Sequence, residues 1–220
     1  MPYRSAVPVS SQSNGTPLRP VPFNPLTKEA LARSVEYELL AQVPQRLDQV
    51  PRFLGPGIYV IYYDGPHVLY RAISRTDQPI YVGKAVPAGS RKALTDDTKI
   101  GSPLWNRIDE HRESVSYGAD LQPSDFHVRY LVADELFIPL AETLMIRTLH
   151  PVWNQAVDGF GNHDPGKGRY DGKLPDWDTL HPGRPWAARI RTPGRLRSEL
   201  EAKVRAHFEL WQSRVTIPRI

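Results

Sequence analysis

Two tyrosines in short β-branched and aromatic segments each lie beside a glycine. Tyr59 follows Gly57 in the segment GIYVIYY, and Tyr81 precedes Gly83 in the segment PIYVG. A glycine next to a strand tyrosine lets another backbone or a ligand approach the phenol closely. Such phenols could position water or phosphate, although strand tyrosines are more often packing residues.

Four other polar residues have positions that could serve the same chemistry. Arg107 and His111 are four residues apart, so they share one face of a predicted helix. Glu142 lies one turn before Met145, beside an apolar stripe, and Asn154 follows a predicted helix end. Each also has a structural explanation: a solvated helix face, a salt bridge to a nearby arginine, or a capped turn. Taken singly, none of these residues identifies a reaction.

The elements that must position these residues alternate irregularly between helix and strand. Apolar periodicity and breakers predict strands over 57–63, 68–73, 79–83 and 126–133, and helices over 27–45, 102–112, 139–149 and 194–214. Ser102 and Pro103 are typical of a helix start. No pattern organises the Gly/Pro/Asp-rich stretch 159–193. This order predicts an α/β (α+β) fold with a small mixed or antiparallel central sheet flanked by helices.

Composition limits the functional class. The chain has 220 residues, 40% of them hydrophobic and 24% charged, which is typical of a globular protein. It contains no cysteine, which excludes disulfides, zinc ribbons and thiol nucleophiles. No apolar run approaches the roughly 20 residues that span a bilayer. The N-terminal segment lacks the apolar core of a secretory signal, so we expect a cytoplasmic protein.

Positive charge is concentrated near the C-terminus. The net charge is +4, yet residues 184–220 carry nine Lys/Arg against three Glu, so the rest of the chain sums to −2. Clustered cations attract polyphosphates and release counterions on binding. A solvated basic helix is an equally good explanation of the charge alone.

Taken in order, these motifs resemble those of the GIY-YIG nuclease superfamily. GIY at 57–59 and YVG at 81–83 are followed by Arg107, Glu142 and Asn154 in the superfamily's order, with Val82 replacing the usual isoleucine. A histidine one turn after the arginine, at His111, resembles the Type II restriction-enzyme branch. The resemblance covers roughly residues 55–160 in its motifs.

The resemblance implies a catalytic role for each motif residue. Glu142 would bind one Mg²⁺, for which Mn²⁺ may substitute, and Arg107 would contact the scissile phosphate. Tyr59 would be the general base or would orient the attacking water, with His111 accepting or relaying the proton. Tyr81 would position water or phosphate. Asn154 would orient Tyr59, Glu142 or a metal-bound water.

The resemblance also implies a DNA substrate and suggests where the chain contacts it. The expected partners are double-stranded DNA, a second copy of the chain and, genetically, a cognate methyltransferase, with no membrane. Candidate DNA contacts are Lys84, Lys167, Arg169, Arg184, Arg189 and Arg191. We expect an N-terminal arm and helix (1–54), a catalytic core (55–158) and a basic loop with a terminal helix (159–220). The predicted function is cleavage of both strands of a GC-rich, CCGCGG-like palindrome. Alternatives are a homing or repair-type nuclease and an inactive DNA-binding protein of the same fold.

Overall fold

The computed structural model describes residues 24–86 and 101–215. Residues 1–23 of the predicted N-terminal arm and helix (1–54) therefore lie outside the described residues. The helices are α1 (Lys28–Ala41), α2 (Pro103–Tyr117), α3 (Ile138–Leu149), α4 (Val152–Gln155), α5 (Asp176–Leu180) and α6 (Arg197–Val215). The strands are β1 (Gln45–Arg46), β2 (Gly57–Tyr63), β3 (Tyr81–Ala85) and β4 (Phe126–Val132).

These four strands form one antiparallel sheet in the order β1-β4-β2-β3. The antiparallel form of the predicted sheet is confirmed, and the mixed form is wrong. β2 pairs on both sides, and all seven of its residues are buried. β3 lies at the sheet edge, where its outer side pairs with no strand of the described residues.

Helices cover both faces of the sheet because successive side chains of β2 point to opposite faces. One face packs Ile58, Val60 and Tyr62 against α1 and α3. The other face packs Tyr59, Ile61 and Tyr63 against α2, α4, α5 and α6. A strand buried on both faces is almost continuously apolar, which explains the run GIYVIYY.

The strand predicted over 68–73 is wrong. Val68–Tyr70 forms a 3-10 helix, and turns continue through residue 77. The His67 side chain starts this helix by accepting a hydrogen bond from the Leu69 amide at 3.2 Å. Leu69, Tyr70 and Ile73 are buried while Val68 is 72% exposed. Their burial follows a helical rather than an alternating pattern.

The predicted helices are present with altered ends. Thr27 caps α1 by accepting a hydrogen bond from the Ala30 amide at 3.1 Å. Ser102 precedes α2, but its side chain makes no capping hydrogen bond. α2 continues five residues beyond the expected end at Arg112, because the next terminating residue is Gly118.

The unassigned stretch 159–193 is folded by short elements. It contains α5, 3-10 helices at Lys167–Arg169 and Ala187–Arg189, and an isolated parallel bridge between Lys173 and Thr192. It packs against the face of the sheet that carries Tyr59. Among the described residues, no helix is long and apolar enough to cross a membrane.

Candidate active site

Strand pairing brings the two motif tyrosines to one face of the sheet. Tyr59 on β2 lies opposite Gly83 on β3, and Tyr81 is two residues from Gly83 on the same face. A Cβ atom at Gly83 would lie 2.5 Å from Cζ of Tyr59. Glycine is therefore required here because the Tyr59 phenol crosses the backbone of β3. The two tyrosine rings lie 6.2 Å apart.

Helix α2 adds His111 to this pair. The Tyr59 hydroxyl lies 2.5 Å from His111 Nε2, and both residues are buried. Burial, reinforced by the neighbouring positive charge of Arg107, holds the pKa of His111 well below its ordinary value. Burial and the proximity of Tyr81 raise the pKa of Tyr59 well above its ordinary value. At neutral pH both groups are therefore uncharged, and the phenol keeps its proton.

The second motif residue of α2, Arg107, faces the same group. Its guanidinium donates to the Gly161 carbonyl at 2.6 Å and to Glu110 Oε2 at 3.0 Å, and it lies 2.6 Å from His163 Nε2. Its charge counteracts the rise in the pKa of Tyr59. Arg107 is thus positioned beside the phenol, and Gly161, Glu110 and His163 engage some of its donors.

Lys84 and Glu142 meet at the edge of the sheet. Lys84 on β3 places its ammonium 2.6 Å from Glu142 Oε2 on α3, and the Glu142 side chain is 19% exposed. The Glu142 charge contributes to raising the pKa of both Tyr59 and Tyr81, so the carboxylate lies near both phenols. The predicted metal ligand and the predicted phosphate contact are therefore direct partners.

Asn154 contacts a different group from those expected. Its side-chain Oδ1 accepts from the Val82 amide and its Nδ2 donates to the Val82 carbonyl, both at 2.8 Å. Both polar atoms are thereby used on the outer edge of β3, between Tyr81 and Gly83. The structure thus shows Asn154 holding the strand, and its predicted role in orienting Tyr59, Glu142 or a metal-bound water stays a prediction.

Residues 159–163, which we call the covering loop, pack against Tyr81, Arg107 and His111. The sequence patterns do not predict this loop as part of the active site. Phe160 stacks on His111 with ring centroids 4.3 Å apart and meets Tyr81 edge-on at 5.0 Å. A Cβ atom at Gly161 would lie 2.8 Å from the Tyr81 hydroxyl and 2.9 Å from the Arg107 guanidinium. The glycines on either side of Phe160 were the available signal, since glycine beside an aromatic residue permits close approach.

One predicted DNA contact, Arg184, is corrected by its burial. Arg184 is 2% exposed and lies in the core between the rings of Trp177 and Trp186, each 4.6 Å away. Its Nε atom donates to Asp178 Oδ1 at 2.7 Å. A guanidinium enclosed in this way has no surface to offer a DNA phosphate.

The other cations predicted in this stretch differ from Arg184. Arg189 and Arg191 are exposed and pair with Asp164 and Asp171 at 3.1 and 2.9 Å. Arg169 is also exposed, and the Lys167 side chain lies outside what the structure describes. These arginines and Lys84 are therefore accessible, but nothing in the structure brings them into one site.

Glu142 has the chemistry of a magnesium ligand. It offers a carboxylate that is partly exposed and already carries a cationic partner, the Lys84 ammonium. Mg²⁺ in proteins is commonly bound through one or two carboxylates and retains several waters. Within the described chain, no group of three His, Asp or Glu ligands includes Glu142. The residues present therefore fit a single hydrated Mg²⁺.

A second group of metal-type ligands consists of His67, Asp120 and His181. Since the Leu69 amide donates to His67 Nδ1, the neutral His67 ring carries its proton on Nε2. That nitrogen faces Asp120 Oδ2 at 3.3 Å and acts as a donor.

His181 is protonated on the side that faces Asp120 for a similar reason. The Tyr70 hydroxyl accepts from Trp153 Nε1 at 2.9 Å and lies 2.6 Å from His181 Nε2, to which it donates. The other nitrogen, Nδ1, donates to Asp120 Oδ1 at 2.9 Å. Burial opposes ionisation of Asp120, but hydrogen bonds from both histidines lower its pKa. The group is a hydrogen-bond network in which neither neutral imidazole has a free lone pair to offer a metal.

Comparison with known families gives a match over most of the chain. The family model described as Eco29kI GIY-YIG domain matches residues 51–208, well over half of the chain. The match extends beyond the sequence motifs and includes the covering loop, α5 and most of α6. No curated protein matches the chain.

Proposed function

Because the chain belongs to the Eco29kI GIY-YIG family of restriction-type nucleases, we propose that it is a Type II restriction endonuclease. Its substrate would be a short GC-rich palindrome, resembling CCGCGG, in double-stranded DNA. The observation that carries the proposal is the buried Tyr59–His111 hydrogen bond beside Arg107. The Tyr59–His111 hydrogen bond provides a route for a proton, and the guanidinium of Arg107 supplies a positive charge beside it.

Proton transfer would pass through Tyr59 and His111. A phenol with a raised pKa is a poor base unless its own proton leaves at the same time. Tyr59 would accept the proton of the attacking water while its hydroxyl proton moves to His111 Nε2 across 2.5 Å. The new phosphorus–oxygen bond would form as the bond from phosphorus to the leaving 3′ oxygen breaks, and that oxygen would take a proton from solvent. The step would leave a phenol, an imidazolium, a 5′ phosphate and a 3′ hydroxyl. Arg107 stabilises the phenolate character that develops during the transfer.

Positive side chains would hold the scissile phosphate. Arg107 has five N–H donors, and those that Gly161, His163 and Glu110 leave free would bind the phosphate. Lys84 provides a further charge at the edge of the same strand as Tyr81. Both contacts would strengthen as negative charge accumulates in the transition state.

Glu142 would hold Mg²⁺, with Mn²⁺ as a possible substitute. When bound, the ion supplies Lewis-acid stabilisation of charge on the phosphate oxygens. Lys84 must then share or give up its contact with Glu142, which frees its ammonium for the phosphate. Asn154 would keep Tyr81 and Lys84 aligned by fixing the backbone between them.

Cutting both strands of a palindrome requires two active sites related by two-fold symmetry, and a homodimer supplies them. We place base recognition among the exposed cations of the 159–193 stretch, including Arg169, Arg189 and Arg191, since arginine commonly reads guanine in the major groove. The N-terminal arm, α1 and α6 are the candidate dimer or DNA contacts. A cognate methyltransferase would protect the host's own sites, and the enzyme would act in the cytoplasm.

The test is digestion of a fully sequenced plasmid by the purified protein, with Mg²⁺ or with EDTA, followed by sequencing of the fragment ends. Discrete Mg²⁺-dependent fragments that share a palindrome at their ends would support the proposal. Random nicking or cleavage of branched DNA alone would favour a homing or repair-type nuclease. Tight binding without cleavage would favour an inactive DNA-binding protein. The Glu142→Gln variant should bind DNA and leave it uncut.

A further inference from the structure

We propose that Arg184 is a positioning residue for the active site, acting through the covering loop on Arg107 and His111. The inference rests on the proposed nuclease function, because only then does the position of these two residues determine a rate. From its charge and its place in the sequence, Arg184 was expected to contact DNA, and the inference gives it a different role.

The covering loop is held from beneath by the Arg184 guanidinium. Its NH2 donates to the Gly159 carbonyl at 2.9 Å, and its NH1 donates to the Phe160 and Asn162 carbonyls, both at 3.2 Å. A single side chain thus binds three carbonyls within four residues. Among the described residues, no other arginine or lysine binds several backbone carbonyls of this loop. Arg107 binds one of them, at Gly161, and also contacts the His163 side chain.

The guanidinium is itself fixed on every side. Asp178 on α5 accepts from Nε and NH2, and the guanidinium carbon lies 4.6 Å from the centre of each of the Trp177 and Trp186 rings. The pair is buried, with side chains 2% and 1% exposed. A bidentate Arg–carboxylate pair in a dry environment has one well-defined geometry. The position of the covering loop therefore depends on that of α5, because Arg184 is bonded to both.

The upper side of the loop contacts the reacting groups. The Gly161 carbonyl and His163 hold the Arg107 guanidinium, and Phe160 covers His111 with nearly parallel rings. Displacement of the loop would release Arg107 and admit water to the imidazole. Because misplacement of a catalytic group by about 1 Å can reduce a rate about 100-fold, this support affects catalysis more than binding.

Arg184→Lys is the discriminating variant. A lysine can still pair with Asp178, so no buried charge is left alone, but one ammonium cannot reach three carbonyls and the carboxylate together. Arg195→Lys is the matched control, since Arg195 pairs with the buried Asp176 on the same helix at 2.6 Å but does not contact the covering loop.

Two measurements separate positioning from a general effect on the fold. The first is single-turnover cleavage, with DNA affinity measured separately in Ca²⁺. We expect Arg184→Lys to slow cleavage at least about 10-fold while DNA affinity changes less than about two-fold. Arg195→Lys should match the wild type in both.

The second measurement is NMR titration of His111, which does not depend on cleavage. The groups that face this imidazole are Tyr59 from β2, Tyr81 from β3, Arg107 from α2, His163 from the covering loop and Arg184. Loss of cover over the ring should raise its midpoint towards the ordinary histidine value in Arg184→Lys alone. A wild-type rate and an unchanged midpoint in Arg184→Lys would overturn the inference.

A double variant covers the case in which Arg184→Lys does not fold. Asp178→Asn with Arg184→Gln removes both charges together, which a buried pair tolerates better than loss of one partner. The folded double variant should show the same slow cleavage and raised His111 midpoint, and wild-type behaviour would overturn the inference. If the wild type itself cleaves no DNA, the proposed function fails, whereas the NMR comparison still tests the support of His111.

Discussion

The Tyr59 hydroxyl and His111 Nε2 share a hydrogen bond of 2.5 Å, and neither side chain is exposed to solvent. The phenol has a raised pKa and the imidazole a lowered one, so the proton rests on oxygen in the resting state. Tyr59 is therefore expected to pass its proton to His111 only when it accepts another proton, such as that of the attacking water.

Removing the Tyr59 hydroxyl should abolish most of the catalysis and little of the fold. We expect Tyr59→Phe to reduce single-turnover cleavage by about 10²–10⁴-fold, the range of a lost acid–base group. Tyr63→Phe is the control, because Tyr63 is buried on the same face of β2 and its hydroxyl also makes a hydrogen bond, to the His67 amide. Each variant should lose about 1 kcal/mol of stability. Equal cleavage by both variants would exclude Tyr59 from the reaction.

Replacing Lys84 should change the metal dependence of cleavage. Because its ammonium lies 2.6 Å from Glu142, it competes with a cation for the carboxylate. We expect Lys84→Met to lower the Mg²⁺ concentration for half-maximal cleavage, while the rate at saturating Mg²⁺ falls about 10-fold or more through the lost phosphate contact. Lys84→Arg, which keeps the charge, should show a smaller loss of rate. An unchanged Mg²⁺ dependence in Lys84→Met would argue against a shared site.

Folding stability should decline in mild acid because His111 is buried in its neutral form. Its pKa in the folded protein lies well below the value of 6.5 for an exposed histidine, so the unfolded chain takes up the proton first. Neutral His111 makes its full contribution to the free energy of unfolding above about pH 6.5. This contribution is lost as the pH falls towards the pKa of the folded state, by up to about 1.4 kcal/mol per pH unit. Urea unfolding between pH 7.5 and 5 measures it.

The His111→Gln variant isolates that contribution. Its stability should fall less steeply with acid than that of the wild type, although His181, which is also buried with a lowered pKa, still contributes. Parallel curves for the two proteins would show that His111 titrates normally in the folded state.

Loss of the Asn154 side chain should destabilise the sheet edge. Asn154→Ala leaves the Val82 amide and carbonyl without their side-chain partner, which costs about 1–3 kcal/mol where water cannot replace it. Asn106→Ala, at an exposed position on α2, should change stability by less than about 0.5 kcal/mol. Chemical denaturation of the two variants makes the comparison. Similar midpoints would mean that water replaces the amide.

Sequence patterns predicted the elements that follow a simple periodicity. β2, β4 and α3 fall where alternation, apolar runs and proline starts placed them, and the antiparallel sheet follows from them. The Val68–Ile73 segment was misassigned because its apolar residues suit a strand, while one side chain, His67, starts a 3-10 helix.

The motif order also predicted which residues the fold brings together, but not how the covering loop joins them. Arg184 is indistinguishable in sequence from its exposed neighbours Arg189 and Arg191. Its burial depends on Asp178 six residues earlier and on two tryptophans that meet only in the folded chain. Contacts to backbone carbonyls leave no compositional signal, so the 159–193 stretch had no assignable pattern.

The Asn154 amide has a consequence for how copies of this protein can associate. An exposed edge strand offers its amides and carbonyls to any neighbouring chain that can add a strand. At the middle of β3 both groups of Val82 are already bonded to a side chain of the same molecule. A second chain therefore cannot extend the sheet there, and the rim that carries Tyr81 and Lys84 stays accessible to a nucleic acid instead of being closed by self-assembly.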